Sequence, residues 1–175
     1  MKLLWLAILF LFLPSKPEQS LQTMARRVFF QFESDNRASE NLYKLLNQAD
    51  IEKSATLLAY KGAARASMAN LSINPATKYN RFKEGRNMIE NAVSAEPQNA
   101  EVRFVRMSVQ LSTPAFLGYQ SDISADRLLI ITKMQTSPAL FGDADFQRKV
   151  LIFLRDRSRP VQKELSQIEQ MLSKL

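Results

Sequence analysis

Apolar residues recur at three- and four-residue intervals along most of the chain, which is the spacing of amphipathic helices. Gln22 to Phe32 predicts a short first helix. Its Phe29, Phe30 and Phe32 either pack inward or, beside Arg26 and Arg27, touch a membrane surface. Asp35 or Asn36 would cap a second helix whose apolar positions are Ala38, Leu42, Leu45, Leu46 and Ala49. Ile51 to Leu71 carries the strongest pattern. One stripe holds Leu57, Tyr60, Ala64, Ser67 and Leu71; a second holds Ile51, Ala55, Leu58, Gly62 and Ala69; Lys53, Lys61 and Arg65 mark the wet side. A helix apolar on two sides lies between neighbours, and Gly62-Ala63-Ala64 leaves room for one of them to come close. Asn74-Pro75 ends it, because the residue before proline is pushed out of the helical region.

Pro75 opens the next helix, with Phe82, Gly85, Ile89, Ala92 and Val93 on one face, and Glu96-Pro97-Gln98-Asn99 closes it. Ala100 to Leu111 follows, with Val102, Val105 and Val109 inward. Thr113-Pro114-Ala115-Phe116-Leu117-Gly118 is then echoed by Ser137-Pro138-Ala139-Leu140-Phe141-Gly142, ahead of helices over Ile123–Thr136 and Ala144–Leu154. Proline stops the incoming helix, two apolar residues can tuck onto the core, and glycine permits a positive-φ turn. Pro160 is expected in the first turn of a last helix that lines up Val161, Leu165, Ile168, Leu172 and Leu175. The expected architecture is a single all-α domain over 21–175, with six to eight antiparallel helices in right-handed hairpin stacking. Only 4 glycines in 175 residues agree with helices rather than tight β-turns.

The first residues follow a different pattern. Lys2 precedes an unbroken apolar run from Leu3 to Leu13. Eleven helical residues reach about 16 Å, too short for the roughly 20 residues of a membrane span and the length of a signal-peptide core. Residues 1–20 therefore read as a targeting segment, and the protein as exported, periplasmic or secreted; a buried N-terminal helix is the alternative. Removing 1–20 takes away Lys2, Lys16 and Glu18 and lowers the net charge from +7 to +6. That balance suits acidic partners or plain solubility; among acidic partners, export makes nucleic acid the poorest fit.

Asn91-Ala92-Val93-Ser94-Ala95-Glu96-Pro97-Gln98-Asn99-Ala100-Glu101 resembles the end of a tetratricopeptide repeat's second helix. Leu58 to Ala69 similarly resembles a first helix with its Gly/Ala packing positions. The resemblance covers residues 52–111, without a clean 34-residue period. It implies helical hairpins used for protein binding, and no ligand residue carries over from it.

With no cysteine and no histidine, disulfides, thiolate metal sites and a Ser-His-Asp triad are excluded. No cofactor or metal is expected. Arg103 and Arg106 lie three apart on one helix face. Arg86 joins them if the helices form a hairpin, and the cluster could grip a partner's carboxylate; internal pairing with Glu90, Glu96 or Glu101 is the competing reading. Phe116 and Tyr119 sit in a connector, as interface anchors or as seals on the core. Asp122 with Asp126, and Asp143 with Asp145, read as helix-start acids. The basic stretch Arg148, Lys149, Arg155, Arg157, Arg159, Lys163 reads as a solvated edge or an anionic-surface contact. The function that fits is an exported non-enzymatic scaffold binding another exported or envelope protein through Arg86, Arg103, Arg106, Phe116 and Tyr119. The alternative is a membrane-surface protein using the apolar N-terminus and these basic patches.

Overall fold

In the computed structural model, residues 21–35, 37–48, 51 and 53–175 are described. The expectations for residues 1–20, and for Asn36 and Ala49, lie outside them. The described residues form α1 (Leu21–Phe29), α2 (Ala38–Gln48), α3 (Ala55–Ser67), α4 (Pro75–Ala95), α5 (Ala100–Ser112), α6 (Ile123–Thr136), α7 (Ala144–Arg157) and α8 (Gln162–Leu172). Three short 3-10 turns follow α3, α5 and α6, and no strand occurs among the described residues.

Local chemistry sets the helix starts. Ser54 Oγ accepts from Leu57 N–H, Asn74 Oδ1 from Thr77 N–H, and Asp143 Oδ1 from Phe146 N–H. Asn99 Oδ1 takes both Glu101 and Val102 N–H at 3.0 and 3.2 Å. Each satisfies a donor that has no partner within its helix. Pro75 sits in the first turn of α4, where its missing N–H costs nothing.

Cross-links at Arg65–Glu84 and Arg81–Met68 O show that α3 and α4 run antiparallel. They cross at Gly62 and Gly85: a Cβ on Gly62 would stand 2.7 Å from Gly85 O and 2.8 Å from Ile89 Cγ1. The two glycines allow the backbones to touch, as the small residues of this stretch foretold. Central α5 is buried almost all round, with Val102, Phe104, Val105 and Met107 sealed from solvent. α1 lies across α3 and α5. Phe29 packs edge-on against Tyr60 at 5.4 Å and Phe104 at 6.0 Å, while Phe30 meets Phe146 of α7 at 6.0 Å. Of the two readings of these phenylalanines, inward packing is the observed one.

Some boundaries differ from expectation. The Ile51–Leu71 helix starts only at Ala55 and tightens to a 3-10 turn after Ser67, so Leu71 leaves the buried stripe and is exposed. Pro160 lies ahead of α8, not in its first turn. Arg127 of α6 donates to Ser158 O, and Glu164 Oε2 accepts Val161 N–H, which together start the helix at Gln162. Arg159 between them adopts φ 53, uncommon outside glycine. α8 docks by its middle: Ile168 is buried, whereas Val161 and Leu175, expected on the same stripe, are exposed.

Candidate functional site

Antiparallel pairing of α5 and α6 brings Asp126 opposite Arg103 and Arg106. Asp126 is 0% exposed. Arg106 grips it in a fork, Nε to Oδ2 at 2.8 Å and Nη2 to Oδ1 at 2.7 Å, and Arg103 Nη1 adds a third bond at 2.8 Å. Arg106 Nη1 also reaches Glu90 of α4 at 3.2 Å. Burial pulls the Arg106 pKa down, but the hydrogen bonds and charge of Asp126 outweigh it, so the net shift is upward. The two arginines of the expected carboxylate clamp thus hold a carboxylate of their own chain. Glu90 was foreseen as an internal partner; Asp126 had been read as a helix-start acid. Its position three residues inside α6 was the available signal, since a surface acid at the start of a helix needs no facing arginines.

Tyr119 is 3% exposed and donates to Glu90 Oε1 at 2.6 Å. Burial first, and the Glu90 hydrogen bond second, raise its phenol pKa. The exposed Arg86 lies over its ring at 5.0 Å, and Phe82 meets it edge-on at 5.9 Å. Arg86, Arg103, Arg106 and Tyr119 therefore belong to one network between α4, α5 and α6. Phe116 stands apart from it, 86% exposed at the tip of the α5–α6 connector.

A second buried carboxylate, Glu101 on α5, is saturated by four donors. Arg26 Nε and Nη2 bind at 2.8 and 2.6 Å, Gln22 Nε2 at 2.8 Å, and the Tyr60 hydroxyl at 2.9 Å. Burial pushes the Tyr60 phenol well above its ordinary pKa, which keeps it a donor. Glu101 had been weighed as a partner for the α5 arginines. Its place on the same turn as Val102, in a helix apolar on several sides, was the legible hint of a buried role.

Next to this carboxylate opens a cleft of about 550 Å3, where the starts of α1, α3 and α5 meet the end of α6. Gln22, Thr56, Glu96, Pro97, Asn99, Glu101, Lys133 and Phe141 are among the residues that line it. Asn99 Nδ2 donates to Thr56 Oγ1 at 3.1 Å and to Glu96 Oε2 at 2.6 Å, which ties these three side chains together. The Lys133 ammonium has no ion-pair partner among the described residues. The lining residues come from distant segments, so their convergence has no signature in the sequence.

The basic stretch after residue 147 is partly neutralised. Lys149 pairs with Asp145, Arg155 with Asp156, and Arg157 with Glu33. Of the helix-start acids, Asp143 caps α7, whereas Asp122 accepts from Ser121 and Gln110 and lies 3.5 Å from Arg106. Among the described residues no cluster of three His, Cys, Asp or Glu side chains could hold a metal ion, and no helix is long and apolar enough to cross a membrane. No family model matches the chain, and neither does any curated protein or solved structure.

Proposed function

We propose that the protein is a non-enzymatic helical scaffold that binds a segment of another exported or envelope protein. The cleft at the starts of α1, α3 and α5 carries this reading. It joins the polar side chains of Gln22, Thr56 and Asn99, the apolar ring of Pro97 and one cation without an ion-pair partner, Lys133. Such a mix suits a peptide carrying a carboxylate beside an apolar residue. The two buried carboxylates, Glu101 and Asp126, are each gripped by an arginine fork inside the fold. The tetratricopeptide resemblance of residues 52–111 supports the same class of function.

Affinity capture from an envelope extract tests it, with the full chain and Lys133→Glu compared side by side. Reversing the Lys133 charge should lower recovery of the captured protein about tenfold or more. Thermal stability should stay unchanged, because Lys133 makes no internal pair. A Lys133→Glu protein that recovers the same partner as well as wild type removes the cleft from the reading.

A further inference from the structure

The end of the molecule opposite the cleft is built differently. There the α3–α4 and α5–α6 connectors lie side by side, joined by a small cluster of Ala66, Phe82 and Tyr119 with Leu117 and Ala69 packed against it. Large apolar side chains stand out from both. Ile73 is 96% exposed, Phe116 is 86% exposed, and Tyr79 and Leu71 are also turned to solvent. Residues 112–121 contain no charged side chain. Residues 75–86 of α4 contribute Lys78, Arg81, Lys83 and Arg86 against a single acid, Glu84, which is paired with Arg65 at 2.6 Å. Lys78 and Lys83 have no ion-pair partner among the described residues.

We infer that this end docks on an anionic lipid surface, with Ile73 and Phe116 entering the headgroup–acyl boundary and Lys78, Lys83 and Arg86 lying against lipid phosphates. Two observations select lipid over a protein partner. The apolar groups are isolated convex tips, and a protein would have to supply a matched pocket for each, whereas a fluid interface receives them without shape complementarity. Lys78 stands in the first turn of α4 next to the Ile73 connector and Arg86 lies over the ring of Tyr119 beside the Phe116 connector, which is the charge complement of an anionic leaflet. This surface differs from the N-terminal run and the 148–163 stretch considered from sequence, and it leaves the cleft free at the far end of α4, about 30 Å away.

Phe116→Trp tests the inference in the full chain carrying Trp5→Phe, so that the only tryptophan is at the tip. The protein is mixed with vesicles of phosphatidylglycerol and phosphatidylcholine, or of phosphatidylcholine alone, with and without brominated acyl chains. Expected are a blue-shifted emission quenched by the brominated lipid, and tighter binding to the anionic vesicles. Lys78→Gln with Lys83→Gln should weaken binding about 25-fold, at roughly fivefold per charge. Ile73→Ser should weaken it about tenfold or more. All four positions are exposed, so folding is not at stake. Three results would overturn the inference. The first is no binding to anionic vesicles. The second is equal binding to both compositions. The third is co-sedimentation with an unquenched tryptophan, which assigns attachment to residues 1–20 or another face.

Discussion

Residues 113–118 and 137–142 share a pattern of hydroxyl, proline, alanine, two apolar residues and glycine, and each folds into a 3-10 turn closed by a glycine at positive φ. Their fates then part. Leu117 of the first is half-buried, while the equivalent Phe141 of the second is 0% exposed. Gly118 sits at φ 62, ψ 34, an ordinary left-handed position with open space around it; Gly142 sits at φ 76, ψ −141, and a Cβ there would collide with Arg26 Nη1. The difference comes from what lies beyond each connector. The second faces α1, whose Arg26 crosses it on the way to Glu101; the first faces solvent. A local sequence device thus fixes a backbone turn, and the tertiary neighbour decides whether the turn becomes core or surface.

The largest effect expected from this contrast is at Phe141. Phe141→Ala should cost about 3–5 kcal/mol, because a sealed aromatic leaves a cavity. Urea unfolding will read it as a lower midpoint at constant slope. A loss under about 1 kcal/mol would mean the second connector is as peripheral as the first.

Gly142→Ala comes next. Backbone strain alone should cost about 1–3 kcal/mol, and displacement of Arg26 adds to it. A double-mutant cycle separates the parts: in an Arg26→Ala background only the strain should remain, giving a coupling of at least about 0.5 kcal/mol. Gly118→Ala, with no clash, should lose only about 1–2 kcal/mol for its left-handed backbone. If the cycle closes with no coupling, Arg26 is not what holds Gly142 to glycine.

The smallest effect belongs to Phe116. Its substitution by serine should change stability by less than about 0.5 kcal/mol and the melting temperature by less than about 2 °C. A substantial drop in differential scanning calorimetry would show that the tip packs on something in solution.

Helix positions were legible wherever periodicity and punctuation agreed. Asn74-Pro75 and Asn99 start helices where their capping chemistry says they should, and Leu42, Leu46, Phe82, Ile89 and Ile168 are buried as their spacing required. The connector repeat was also visible, because proline and glycine act on the backbone locally. What was not legible was pairing across the chain. Arg26 with Glu101 and Arg106 with Asp126 are separated by 75 and 20 residues, and nothing in the spacing of one helix names the helix that will face it. Arg103 and Arg106 were correctly placed on one face, but whether that face meets solvent or an acid depends on α6. The cleft was hidden for the same reason: Gln22, Thr56, Asn99 and Lys133 become neighbours only after four helices have been laid together.

The position of α1 also shapes how the chain acquires its structure in time. Its partners arrive late: Arg26 waits 75 residues for Glu101, and Phe30 waits still longer for Phe146. At about 5–20 residues per second of synthesis, the Phe-rich segment is exposed for roughly 4–15 s before Glu101 has been made. During that interval the three phenylalanines have only α2 and α3 to pack against. A factor that shields unfolded chains would find a binding stretch here, and a circular permutation opened between α4 and α5, which makes α1 after α5, should lower aggregation during expression without altering the finished core.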